Sequence, residues 1–218
     1  GVVVVVWYMR KKREFLRQRF FQQINRVRME NLRSRISPHF TFNVLGREIN
    51  QFNGSEEGKH NLMELVKYLR RSLELTEKLS VSLQDELDFV RTYIELERGR
   101  VGEDFVATIT VEDGLDATRI MIPSMIVQIP VENAIKHGLA GKDGKKELMV
   151  YVSRETNGIR ITVTDNGRGY LPQVVSATRG TGTGLKVLYQ TIQLLNTKNK
   201  SDKIRFNITN RSDGQTGT

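Results

Sequence analysis

The chain has 218 residues, 34 Lys and Arg against 25 Asp and Glu, a formal net charge of +9, no Cys and three His. That length fits one or two compact domains, and the lack of Cys excludes a disulfide framework and any thiolate-based metal or redox centre. The positive balance raises nucleic acid as a partner, but residues 10–35 hold ten basic and two acidic side chains and leave the remainder with 24 bases and 23 acids. The excess is a local arm beside a nearly neutral body.

Val2 to Met9 form an apolar run with Trp7 and Tyr8 at its end, followed by Arg10-Lys11-Lys12-Arg13. Eight apolar residues cannot span a bilayer, which needs about 20. Their order is nevertheless that of the cytoplasmic end of a membrane-spanning helix, with aromatics at the headgroup level and cations beyond. The alternative is a buried Val-rich strand, although a core strand seldom abuts four consecutive cations. The expectation is a truncated transmembrane helix end over 1–9 and a basic juxtamembrane linker over 10–36.

Residues 13–36 read as a helix with a narrow apolar stripe of Leu16, Phe20, Ile24 and Val27. In residues 37–52, Ser37-Pro38 fits either an N-cap with Pro at the first helical position or a kink in a continuing helix. Asn53-Gly54-Ser55 signals a turn. A helix over 60–78 is expected to place Leu62, Leu65, Val66, Leu69 and Leu73 on one face. Another begins near Ser82, where Ser82 and Asp85 form a capping-box variant, and carries Leu83, Leu87, Val90 and Ile94. The short loop between them predicts an antiparallel helical hairpin.

After Gly102 the period changes to two: Phe105, Ala107, Ile109 and Val111 predict a strand. A helix over Pro123–Leu139 follows. Strands are then expected at Leu148–Val152 and at Ile159–Val163 ending in Asp165, a helix at Gly184–Leu195, and a strand at Ile204, Phe206 and Ile208. The fold class is therefore α+β, with an all-helical half up to about residue 101 and an α+β half over 102–218.

Three segments of the second half carry chemistry. Val131-Glu-Asn133-Ala-Ile-Lys136-His137-Gly138 lies on a helix. Asp165-Asn-Gly167-Arg-Gly169 lies at a strand end, and Gly180-Thr-Gly182-Thr-Gly184-Leu185 leads into a helix. A Gly-rich loop feeding a helix offers backbone N–H groups and a positive dipole end to phosphates, and Gly lets the backbone approach closely. A carboxylate such as Asp165 at a buried strand end can accept from an exocyclic amine and so select adenine. Asn133 offers a neutral oxygen to Mg2+, with Lys136 and His137 near enough to help neutralise phosphate. No GxxxxGK[ST] or strand-GxGxxG is present, so P-loop and dinucleotide-fold readings are unsupported.

In this order the segments resemble the N, G1 and G2 boxes of the GHKL ATP-binding superfamily, whose fold is a mixed sheet with helices packed on one face in an α/β sandwich. The resemblance implies that Asn133 is the magnesium residue, that Asp165 contacts adenine, and that Gly167 and Gly169 are the G1 glycines. It likewise makes Gly182 and Gly184, with Leu185 following, the G2 element, and the segment between Tyr170 and Thr183 a lid over ATP.

The first half carries a further resemblance. Arg35-Ile-Ser-Pro-His39-Phe-Thr-Phe-Asn43 is similar to the acceptor motif of the LytS-like sensor histidine kinases. Tyr68-Leu-Arg-Arg-Ser-Leu73, Leu83-x-x-Glu86 and Tyr93-Ile-Glu-Leu-Glu97 add to the likeness. Gln128-Ile-Pro-Val-Glu-Asn133 places its proline one residue later than the family's commoner order. A neutral imidazole nitrogen is a good nucleophile toward a γ-phosphoryl group. Asn43 falls four residues after His39, on the same face of a helix, where it could orient the ring. Phe40, not an acid, follows His39, so the adjacent position does not supply a general base. His60, in an expected polar loop, reads as structural.

Together the resemblances imply the cytoplasmic core of a membrane-anchored two-component kinase. It would use ATP and Mg2+ to phosphorylate His39 and then transfer the group to an Asp of a response-regulator receiver domain. They imply a homodimer through the helical region 37–101 and, for the ATP domain, a last strand lying past Thr218. The arm at 10–35 suits an anionic membrane surface at the inner (cytoplasmic) membrane better than nucleic acid. The alternative is a GHKL scaffold that binds ATP without kinase activity.

Overall fold

A computed structural model describes residues 2–35, 56–169, 183–198 and 203–210. The Ser37-Pro38 unit, the Asn53-Gly54-Ser55 turn and the expected lid lie outside them. Helix α1 spans Val2–Arg35 and runs unbroken from the apolar segment into the basic arm. This excludes the strand alternative for Val2–Val6. The side chains of Val3 to Met9 are exposed, from 45 to 81%, so this run belongs to no core. Leu16 of the expected stripe is exposed as well. Among the described residues no helix is long and apolar enough to cross a membrane.

Helix α2, Glu56–Glu77, starts earlier than the expected residue 60, so that His60 lies within it and not in a polar loop. Its packed face also differs from expectation. Leu65, Tyr68, Ser72 and Leu75 are buried, whereas Val66 and Leu73 are about half exposed. Apolar residues occupy two faces of α2, and aromatic packing selects between them: Tyr68 stacks on Phe89 with ring centroids 4.9 Å apart and lies 5.8 Å from Tyr93.

Those partners lie on helix α3, Leu83–Val101, whose buried residues include Leu83, Leu87, Val90 and Ile94. Ser82 caps it as expected, accepting the Asp85 N–H at 3.0 Å and donating its hydroxyl to Asp85 Oδ2 at 2.8 Å. An Arg71–Asp85 ion pair closes the antiparallel hairpin. The Ser82 hydroxyl above all holds the Asp85 carboxyl below its ordinary range; burial opposes it, and Arg71 and Lys78 add to the lowering.

Short strands β1, Ser80–Ser82, and β3, Met121–Pro123, pair antiparallel. The main sheet has the order β2-β4-β5, from Phe105–Val111, Lys146–Glu155 and Gly158–Asp165. β2 runs parallel to β4, with Phe105 opposite Lys146. β4 runs antiparallel to β5, with Leu148 opposite Asp165. This is the mixed sheet expected. Phe105, Leu148, Val150 and Val152 are buried on one face, while Val106, Met149 and Tyr151 on the other are partly open to solvent.

The helix expected over Pro123–Leu139 begins later. Pro123 ends β3, Met125 takes a positive φ of 70°, and helix α4 covers only Gln128–Asn133. Pro130 sits in its first turn, where a missing N–H costs nothing. The helix then widens into a π-turn at Ala134–Gly138. Helix α5 spans Thr183–Lys198.

Ile204, Phe206 and Ile208 alternate half-buried with exposed neighbours but join no ladder among the described residues. The Asn196 side chain takes the place of a strand neighbour: Ile204 N–H donates to Asn196 Oδ1 and Asn196 Nδ2 donates to Ile204 O, both at 2.8 Å. Phe206 meets Tyr189 of α5 edge to face.

Candidate nucleotide site

Three pieces meet: α4 with its π-turn, the end of β5 with residues 166–169, and the start of α5. A π-turn inside a helix is uncommon and is frequent at functional sites. Here it carries Lys136 and His137.

Asp165 is 4% exposed, and its Oδ1 accepts the Gly167 N–H at 2.8 Å. Two glycines allow the surrounding backbone to close on it. A Cβ on Gly167 would lie 2.1 Å from the Gly138 carbonyl oxygen, and one on Gly138 would lie 2.6 Å from Asp165 Oδ1. Neither position has room for a side chain. Gly169 has φ 78°, in the left-handed region that favours glycine.

Arg168 ties the two segments together. Its N–H donates to Gly138 O at 3.2 Å and its Nε to His137 O at 2.8 Å. These carbonyls end a helical run and would otherwise lack partners. Asn166 works behind the site: its Oδ1 accepts the Glu147 N–H at 2.8 Å and its Nδ2 donates to Lys145 O at 3.0 Å, joining the β4 start to the β5 end.

Asn133 donates its Nδ2 to Ile129 O at 2.8 Å, which leaves the Oδ1 end of the amide as the acceptor for a cation. Gly184 at the start of α5 lies beside it, where a Cβ would be 3.7 Å from Ile129 Cγ2 and 3.8 Å from Asn133 Nδ2. Lys136 pairs with Glu132 one turn earlier. Burial first, then Lys136 and Arg168, push the half-buried His137 imidazole below its ordinary pKa, with Glu132 opposing. The ring is therefore neutral near pH 7, next to two fixed cations. Among the described residues no cluster of three or more His, Asp or Glu side chains could hold a metal. The Asn133 amide oxygen is a donor of the kind Mg2+ takes, since that ion is commonly held by one or two protein oxygens together with substrate phosphates.

The structure thus brings Asn133, Lys136, His137, Asp165, Gly167, Gly169 and Gly184 into one region. Leu185 is partly buried against the core. His39, Asn43 and Gly182 lie outside the described residues. Gly138 and Arg168 lay inside the quoted motifs without an assigned role. Glu86, inside another, receives one below.

Residues 27–105 match the family model described as histidine kinase, and residues 118–218 match the histidine kinase-, DNA gyrase B- and HSP90-like ATPase model. The chain is 28% identical over 180 residues to the sensor histidine kinase YpdA of Escherichia coli (strain K12), covering 80% of this chain and 31% of that protein. It is 32% identical over 190 residues to the sensor histidine kinase/phosphatase LytS of Staphylococcus aureus (strain MRSA252), covering 83% of this chain and 32% of that protein. The chain therefore spans about a third of the length of these relatives. Among solved structures, the histidine kinase domain of the Erythrobacter litoralis EL346 blue-light activated histidine kinase aligns with a TM-score of 0.43 at 14% identity, over 81% of this chain and 82% of that one.

Proposed function

Because the chain belongs to the LytS-like sensor histidine kinases and carries their ATPase-type domain, we propose that it is the core of a two-component kinase that phosphorylates His39 from Mg-ATP. The observation that carries this reading is the buried Asp165 carboxylate, closed in by the Gly138–Gly167 backbone contact, with Arg168 tied to His137 O and with Asn133, Lys136 and His137 on the helical run that ends at Gly138. Asp165 accepts the exocyclic amine of adenine. Lys136 and Arg168 balance polyphosphate charge, and neutral His137 donates or accepts one hydrogen bond there without adding charge. Asn133 Oδ1 would hold Mg2+, which neutralises phosphate charge when bound.

A ring nitrogen of His39 then attacks the γ-phosphorus. The N–P bond forms as the bond to the β,γ-bridging oxygen breaks, and ADP leaves. Asn43, four residues on, orients the ring. The phosphoryl group passes to a carboxylate oxygen of a receiver-domain Asp and frees His39. On this reading residues 37–101 form the dimerisation and acceptor region and 102–218 the ATP-binding domain, in a homodimer joined through its His-bearing helices.

The N-terminal helix supports a membrane-anchored placement on the cytoplasmic face. Its exposed apolar end at Val3–Met9 runs directly into Arg10–Arg13, and Lys11 Nζ sits 5.2 Å from the Trp7 ring centroid. An apolar face followed by cations suits a bilayer surface and its anionic headgroups. The direct test is incubation with γ-labelled ATP and Mg2+ followed by acid treatment. Wild type acquires acid-labile label and His39→Gln does not; label on His39→Gln at the wild-type level refutes the assignment.

A further inference from the structure

The metal and phosphate end of the site rides on α4 and its π-turn, and what fixes α4 comes from the helical half. Glu86, in the first turn of α3, is fully buried. Its Oε2 accepts the Met125 N–H at 2.9 Å, and its Oε1 accepts the N–H groups of Val127 at 3.1 Å and Gln128 at 3.2 Å. A carboxylate out of water is tolerated when its lone pairs meet such donors.

α4 has no cap of its own. Val127, at its N-cap position, has helical angles and an apolar side chain that makes no cap hydrogen bond. Glu86 fills that role from 41 residues away in sequence, with a charge that suits a helix start. Met125 adopts its positive φ where these donors converge on the one carboxylate; for a residue with a Cβ that conformation persists only when its surroundings impose it. From Gln128 to Asn133 there are fewer than two turns, so a shift at the start of α4 is passed to Asn133 with little room for relaxation.

The surrounding junction is hydrogen-bonded as well. Leu83 N–H donates to Ile120 O at 2.7 Å, Gln84 N–H to Ala117 O at 3.0 Å and Ser124 N–H to Leu79 O at 3.2 Å. Beside them runs the β1–β3 pair.

We propose that Glu86 is a positioning residue for the magnesium end of the nucleotide site, acting through the start of α4 on Asn133. It makes the nucleotide helix an attachment of the helical hairpin, so that displacement of α3 reaches Asn133 directly. The proposal rests on the reading of Asn133 as the Mg2+ residue. The Asp165 carboxylate of the adenine end is carried by β5, whose ladder with β4 does not pass through α4, and it meets that run only at its far end, at Gly138.

The test is equilibrium binding of ATP, with and without Mg2+, and of adenosine to the full chain, in wild type, Glu86→Gln and Asn133→Ala. Replacing an outer partner of a metal ligand weakens affinity about ten- to a hundredfold. Glu86→Gln is expected to lose that much of the Mg2+-dependent affinity while adenosine binds as in wild type. Wild-type Mg2+ dependence in Glu86→Gln, with the dependence lost in Asn133→Ala, overturns the role of Glu86 alone. Wild-type Mg2+ dependence in Asn133→Ala overturns the reading of Asn133, and the proposal with it. Parallel loss of adenosine and Mg-ATP binding in Glu86→Gln reduces Glu86 to a general structural residue and also overturns the proposal. Should Glu86→Gln fail to fold, Glu86→Asp keeps the charge and shortens the reach. Its amide exchange should quicken over residues 125–138 with β4 and β5 unchanged, and uniform quickening is the refuting result.

Discussion

Gly167→Ala tests the backbone contact on which the adenine end depends. The added Cβ would stand 2.1 Å from Gly138 O, 2.2 Å from Gly138 C and 2.7 Å from Asp165 Oδ1. The two distances to Gly138 are more than about 1 Å inside ordinary contact. The obstruction is backbone, which cannot swing aside as a side-chain tip can. Gly138 is held by the Arg168 N–H, and Asp165 by the Gly167 N–H itself. Separation of the two segments costs a neutral hydrogen bond of about 1 kcal/mol and a charged one of about 2 kcal/mol. Residual overpacking adds about 1 kcal/mol or more. A loss of about 4 kcal/mol lowers the melting temperature of a chain of this size by about 8 to 16 °C.

Gly184→Ala is the matched control. Its Cβ would meet only Ile129 and Asn133 at ordinary contact distances, inside a helix where Ala is favoured over Gly by about 1 kcal/mol. It should melt at or above wild type. Thermal unfolding monitored by circular dichroism, with adenosine binding measured on the same samples, checks both. The reasoning is refuted if Gly167→Ala melts with wild type and binds adenosine as well.

Two other predictions concern charge. Unfolded His137 binds more protons than folded His137 between the ordinary value of 6.5 and the depressed folded one, so stability is on its plateau above that range and falls as pH drops through the folded pKa. His137→Gln should remove that part of the acid slope; an unchanged slope in melting temperature between about pH 7 and about pH 5 contradicts this. Replacing Arg10, Lys11, Lys12 and Arg13 with Gln should weaken binding to phosphatidylserine vesicles by about two orders of magnitude or more, at about 1 kcal/mol per cation. Salt-insensitive binding, or equal binding to neutral vesicles, contradicts the membrane reading of the arm.

The alternating strands and the Ser82 cap were legible in the sequence because their causes are local: period-two burial in β2, β4 and β5, and a hydroxyl three residues from the N–H it accepts. The site segments were legible because each glycine and carboxylate sits in a short run of its own. The start of α4 was not. Pro123 resembles a helix-opening proline, but pairing with β1 places it in a strand, and the cap that opens α4 arrives from Glu86. The packed face of α2 was ambiguous for a similar reason: Leu65, Tyr68 and Leu75 compete with Met63, Val66 and Leu73, and the rings of α3 decide. At Ile204–Ile208 the alternation is real, yet an amide side chain stands where a neighbouring strand was expected.

The sheet order has a kinetic consequence. β4 and β5 are joined through residues 156 and 157 alone, whereas the neighbours β2 and β4 are separated by residues 112–145, which include α4 and its π-turn. A hairpin closes in microseconds, while a distant parallel pairing must first close a long loop. Asp165 and Gly167 ride on the hairpin, and Asn133 rides on the crossover. The Asp165 carboxylate can thus be placed before Gly138 closes on it and before the seat for the metal exists, and pulse-labelled exchange during refolding should protect 146–165 ahead of 128–138. Simultaneous protection would contradict that order. If assembly follows that order, the site should open first at its Asn133 end, and Mg-ATP added to the folded chain should slow amide exchange over 128–138 more than over 146–165.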